Sequence, residues 1–202
     1  MKKIYFLTLF VFFTFPFKSI ALIEVDITRG NLNPLPIAVS ALYSDEETTN
    51  SLKKNIKVDQ IGDEISLVIE NNLRATGLFN PLEKKAFLQK PDVAHLKPRF
   101  EDWSLIKAQA LITGKVELKD EKVRVEFRLW DVLAGREMLA LAFTTTPNNW
   151  RRIGHIISDK IYERLTGEKG YFDTRIIFVS EEGPKTKRIK KLAIIDQDGF
   201  NT

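Results

Sequence analysis

An α+β fold, a mixed sheet with helices packed on one of its faces, is what this sequence predicts, and three patterns carry it. Residues 110–118, 123–130 and 138–145 are β runs divided by short polar turns, and in the middle run Val123, Val125, Phe127 and Leu129 alternate with Arg124, Glu126, Arg128 and Trp130. Two helical stripes accompany this meander: Ile61, Ile65, Val68, Ile69 and Leu73, and then Trp150, Ile153, Ile157, Ile161 and Leu165. After residues 167–170, which hold two glycines and a charge pair, the pattern turns to pure β and marks a domain boundary.

The chain opens with Lys2-Lys3, an apolar run over residues 4–17 and the small residues of Ser19-Ile20-Ala21, which is the layout of a secretory signal cut between Ala21 and Leu22. The run is shorter than the roughly 20 apolar residues that span a bilayer, so it reads as a leader and not an anchor. It lacks an Arg-Arg pair, which points to the general secretory route, and its two lysines and short Phe-rich core point to a bacterial signal and so to the periplasm. In Leu22, Ile23, Glu24, Val25, Asp26, Ile27 and Thr28 the apolar residues alternate with polar ones, a strand pattern with one apolar face. A strand at a freed N-terminus either adds to a partner's sheet edge or pairs inside its own domain.

Residues 29–34 are turn material, residues 35–42 a second and more buried strand, and residues 43–57 a polar surface loop. Asp59 is placed to cap the first striped helix and Gly77 to end it in a left-handed conformation. Residues 78–82 leave it extended, and a short helix over residues 101–109 turns Trp103 and Ile106 inward. Asn148 or Asn149 caps the last helix, which stops at Thr166-Gly167. Two further strands, residues 173–180 and 191–196, are joined by a polar connection holding Gly183-Pro184 and closed by Gln197-Asp198-Gly199-Phe200-Asn201. An isolated hairpin is marginal in water, so these strands either extend the earlier sheet or begin a repeat domain.

The chemistry is that of interaction. With no cysteine there is no disulfide, thiolate nucleophile or Cys-type zinc site. The 31 Lys+Arg against 27 Asp+Glu include Lys2, Lys3 and Lys18 of the leader; without them the balance is 28 to 27, which gives no support to nucleic-acid steering. His155, Asp159 and Glu163 line one side of the last helix, opposite its apolar stripe, and read as a solvated polar face with too few ligands for a metal. His95 lies in a Pro-flanked loop with Asp92 nearby, and the pairs Glu46-Glu47 and Glu181-Glu182 read as loop carboxylates. There is no Gly-x-Ser-x-Gly elbow, P-loop or Gly-x-Gly-x-x-Gly. The expectation is a non-enzyme with no cofactor, no metal, no nucleic acid and no small-molecule substrate; a stand-alone ligand-binding or envelope-assembly domain is the other reading.

Several segments in order carry a family likeness: Asn72-Leu73-Arg74-Ala75-Thr76-Gly77-Leu78-Phe79-Asn80-Pro81-Leu82, Ile112-Thr113-Gly114-Lys115-Val116, Leu129-Trp130-Asp131 before Gly135, Ile161-Tyr162-Glu163-Arg164-Leu165-Thr166-Gly167, and Asp196-Gln197-Asp198-Gly199-Phe200-Asn201. Together they resemble the N-terminal domain of the TolB family, periplasmic components of the Tol-Pal system. The resemblance implies a signal peptide over residues 1–21, an α/β domain over 22–167, a linker over 168–173, and over 174–202 an incomplete first blade of a six-bladed β-propeller, a full blade taking about 40–45 residues. It also implies an adaptor acting in outer-membrane invagination during cell division and in envelope integrity, with Leu22 to Thr28 in the place of the segment that binds the inner-membrane protein TolA. The contact with the lipoprotein Pal belongs to the propeller, so it is expected only of a full-length protein. Asn31-Leu32-Asn33-Pro34 stands where the family has a Gly-rich turn, the loop 44–51 is extended, and Glu24 and Asp26 make the first strand more acidic.

Overall fold

The computed structural model describes Ile23, Val25, residues 33–56 and residues 60–201. Its elements are β1 (Leu35–Val39), β2 (Tyr43–Ser44), α1 (Glu46–Ile56), α2 (Ile61–Ala75), β3 (Phe79–Pro81), α3 (Pro91–Ala94), α4 (Phe100–Leu105), β4 (Ala110–Lys119), β5 (Lys122–Asp131), β6 (Arg136–Thr145), α5 (Trp150–Thr166), β7 (Arg175–Glu182) and β8 (Ile189–Asp196). The main sheet runs β3-β1-β4-β5-β6, with β2 also against β4. β1 is parallel to β3 and β4, whereas β4, β5 and β6 are the antiparallel meander that period-2 alternation predicts.

Ile37, Val39, Ala110, Ile112, Val123, Val125, Phe127 and Leu129 share one core with Ile61, Ile65, Ile69 and Leu73 of α2 and Ile153, Ile157, Ile161 and Leu165 of α5. Burying each such side chain stabilises the fold by about 1.5–3 kcal/mol, so these two stripes fix which sheet face the long helices take. The expectation that helices occupy one face only is corrected by a second, smaller core. On the reverse face Ala38, Leu111 and Val132 pack with Ala94, Trp103 and Ala108 from the α3–α4 segment. Buried Gln89 holds this layer down: its Oε1 accepts the Trp103 indole N–H (3.1 Å) and the Arg99 N–H (2.9 Å), and its Nε2 donates to Lys97 O (3.0 Å).

The strand expected over residues 35–42 ends at Val39, and β2 follows it at Tyr43–Ser44. Ile37 pairs with Ala110 but Tyr43 with Lys115, so the register gains one residue between β1 and β2. There Leu42 leaves the ladder and donates its N–H to Gly62 O (3.2 Å) at the start of α2. A Cβ on Gly62 would lie 1.8 Å from Leu42 O, so only glycine lets helix and strand approach this closely.

The surface loop expected over residues 43–57 is instead β2 and α1. Asp45 Oδ1 accepts the Thr48 N–H (2.7 Å), and that bond holds its carboxyl below the usual range. Glu46 and Glu47 fall in the first turn and Lys53 and Lys54 in the last, each favourable to the helix dipole, while Leu52 is fully buried. Asp59, the expected cap of α2, lies outside the described residues; Gln60 precedes the helix without a side-chain cap bond. Gly77 is left-handed as predicted. α4 ends at Leu105, before residue 109, because Lys107 turns left-handed. Asn149 stands at the start of α5 but caps nothing with its side chain, since a 3-10 turn (Pro147–Asn149) feeds the helix.

β7 and β8 form a separate two-stranded sheet and do not extend the main one. Glu181 and Glu182 belong to β7 and not to a loop: they pair with Arg188, Lys190 and Lys191, mostly across the hairpin.

Gly62→Ala is expected to destabilise the protein by about 1–3 kcal/mol, the usual cost of overpacking a tight contact. Urea denaturation checks this; an unchanged midpoint would show that Leu42 and α2 separate freely.

Candidate functional site

Helix α5 is buried on opposite sides. Ile153, Ile157, Ile161 and Leu165 face the sheet, and at about 100° per residue His155 points the other way. The sequence reading of His155 and Asp159 as a solvated face is corrected here: His155 is 2% exposed, because residues 170–174 and 196–201 fold back over it. Glu163, at the far end of the stripe, is exposed and paired with Lys160.

Asp159 fastens the returning chain. Its Oδ1 accepts the Phe172 N–H (2.7 Å) and its Oδ2 the Asp173 N–H (3.1 Å). Gly170 makes room for this, since a Cβ there would lie 2.3 Å from Asp159 Oδ1. Phe172, 1% exposed, packs edge-on to Tyr162 (5.9 Å between ring centres). Arg152 reaches both carboxylate oxygens of Asp173 at 3.0 Å, a pair of small worth because the arginine is largely exposed.

Deeper in, one set of hydrogen bonds fixes the state of His155. Ser158 Oγ donates to Gly154 O (2.8 Å), so it must accept from Asn72 Nδ2 (3.0 Å). The same amide nitrogen donates to His155 Nδ1 (3.0 Å), and Asn72 Oδ1 accepts from Gln197 Nε2 (3.4 Å). Nδ1 is therefore the acceptor and the neutral ring carries its hydrogen on Nε2. The nearest carboxylate oxygen to that nitrogen is Asp198 Oδ2 at 3.5 Å, and the same oxygen is bound by Arg151 Nη2. Arg151 also lies over the Phe200 ring, 3.8 Å from its centre. Burial holds the His155 imidazole below its ordinary value; Asp198 opposes this and Arg151 adds to it.

His155, Asp196 and Asp198 bring ligand-type atoms within 4.8 Å of one another. They suit a metal poorly. His155 Nε2 is a donor in this tautomer, Asp198 is held by Arg151, and Asp196 is held by Arg175 (3.3 Å) and Asn201 (2.5 Å).

The other end of α5 receives the N-terminal segment. Val25 is buried in the main core and donates its N–H to Leu165 O (2.7 Å), one of the last-turn carbonyls that a helix leaves unpaired. Ile23 packs on the same core. Of the other residues singled out there, Ala21, Leu22, Glu24, Asp26, Ile27 and Thr28 lie outside the described residues. His95 is not in a plain loop: it ends α3, stacks on Tyr43 (4.5 Å, 7°) and approaches Pro91 O through Nδ1 (3.0 Å).

Residues 23–138 match the TolB amino-terminal domain. The chain belongs to that family. It is 75% identical over 191 residues, 95% of its own length, to the Tol-Pal system protein TolB of Pelagibacter ubique (strain HTCC1062), and it spans 43% of that relative. The crystal structure of TolB from Acinetobacter baumannii superposes with a TM-score of 0.66 at 22% identity over 84% of this chain and 37% of that one, a likeness of fold. Of the residues that join α5 to the hairpin, Arg151 and Phe172 were not singled out from sequence, Asp159 was read as part of a solvated face and Asp198 as part of a closing turn; the boundary glycine Gly170 and the His155-Asp159 spacing are the signals that could have found the joint.

His155 takes up a proton less readily folded than unfolded. Stability is therefore full above the ordinary value of 6.5, falls as the pH drops from there toward the depressed folded value, and levels off below it. Urea midpoints measured across this window should show the fall, and His155→Gln should remove it; an equal slope in both proteins would place the titration elsewhere.

Proposed function

We propose that this chain is the adaptor portion of a Tol-Pal system TolB: periplasmic, non-enzymatic, and acting through protein partners in outer-membrane invagination during cell division and in envelope integrity. The observation that carries the reading is its likeness, over nearly its whole length, to a relative bearing that name. In this reading the N-terminal segment, Leu22 to Thr28 after cleavage behind Ala21, is the element offered to a TolA-like inner-membrane protein. The docking of Ile23 and Val25 on the core, with the Val25 N–H on Leu165 O, supports a segment of strand character that can pair inside its own domain or with a partner.

The hairpin reads as the opening of the first propeller blade. Ile177, Val179, Leu192 and Ile194 share one of its faces and Ile176, Phe178, Ala193 and Ile195 the other. Strands apolar on both faces are made to lie between layers, which is what a blade in a propeller does. A Pal contact is assigned to a full-length protein only.

Capture of a TolA-like periplasmic domain by the chain, and by a variant lacking residues 22–28, tests the assignment. The deletion is expected to weaken capture at least tenfold, about 1.4 kcal/mol. Equal capture by both would sink the role given to that segment.

A further inference from the structure

The start of α5, where the hairpin folds back on it, encloses a cavity of about 180 Å³, far above the ~15 Å³ that a single water requires. Asn148, Asn149, Arg151, Arg152, His155, Thr174, Arg175 and Asn201 line it with donors, alongside Asp173 and Asp196. Those two carboxylates are already matched, Asp173 by Arg152 and Asp196 by Arg175, and Asp198, which lies beside Arg151 and His155, is held by Arg151 Nη2. α5 is a 17-residue helix with no acidic residue in its first turn and no side-chain cap, so its positive dipole end faces this space without a counter-charge from its own sequence.

A second observation is independent of the helix terminus. Among the described residues, two buried side-chain polar atoms have no hydrogen-bond partner, and both belong to residues that line this cavity: Arg151 Nε, and His155 Nε2, whose nearest carboxylate oxygen is Asp198 Oδ2 at 3.5 Å. The Asn72–Ser158 hydrogen bonds fix His155 Nε2 as an N–H, and Arg151 Nε is an N–H in any state. Two buried donors, one of them charged, want acceptors, and an unmet buried donor costs about 1–3 kcal/mol. We infer that the cavity is a binding site for a small oxyanion, a carboxylate or phosphate group, held by Arg151 Nε–H and His155 Nε2–H at the N-terminus of α5.

The inference is independent of the Tol-Pal reading. Arg151 keeps Asp198 through Nη2 while offering Nε to the anion, so occupancy does not require the hairpin to undock. A ligand bridging Arg151 to the residues of the returning chain tightens the joint between α5 and the hairpin.

Nitrogen-15 spectra of the full chain, recorded while inorganic phosphate or acetate is added and compared with sodium chloride at matched ionic strength, test this. A saturable shift of the His155 Nε2 and Arg151 Nε signals is expected, and the arm with the tighter response identifies the oxyanion class. Arg151→Lys, which retains the charge but loses Nε, and His155→Gln should each weaken binding at least tenfold while the β4–β6 amide signals stay in place as a control for folding. Shifts that follow ionic strength equally in chloride mean that the two donors bond water only, and they overturn the proposal. So does a saturable shift that both variants retain unchanged.

Discussion

Helix α5 is packed on two opposite sides, with Arg152, Lys160 and Glu163 left as its solvent edge, and the rest of the arrangement follows from that. Its isoleucines close the sheet face, Gly154 brings it against Val68 of α2, and a second covered flank carries His155, Ser158 and Asp159. Buried polar groups on such a flank need partners, since an unmet buried donor or acceptor costs about 1–3 kcal/mol. Asp159 meets this by accepting two backbone N–H groups of the returning chain, which at once satisfies the carboxylate and fixes where residues 170–173 run.

Both remote parts of the chain come to this helix, at opposite ends and by different means. Val25 reaches the C-terminal carbonyl of Leu165 through its backbone, with one buried side chain beside it. The hairpin reaches the N-terminal end through Arg151, Asp198, Phe200 and the Asn72–Gln197 contact.

Much of this was legible from residues. The meander announced itself because β5 keeps a strict period of two between two further β runs divided by short polar turns, and α2 and α5 because five apolar residues in each recur at helical spacing. α1 was hidden because Leu52 and Ile56 give it too narrow a stripe, with its N-terminal signal, Asp45 bonding to Thr48, buried in a polar run. The break at residues 40–42 comes from a tertiary approach, Gly62 against Leu42, that neither segment signals alone. His155 was misjudged because periodicity finds the apolar face of a helix and assigns the opposite face to water; here that face is covered through side-chain to backbone bonds, which leave no periodic trace.

Hydrogen exchange at the Phe172 and Asp173 amides tests the central claim, that α5 and the returning chain form one unit. Both amides should be protected to the level of the Ile157 and Ile161 amides in α5, and Asp159→Ala should release them while the β4–β5 amides stay protected. Exchange of Phe172 and Asp173 as fast as that of the exposed loop at residues 184–187, with α5 fully protected, would contradict it.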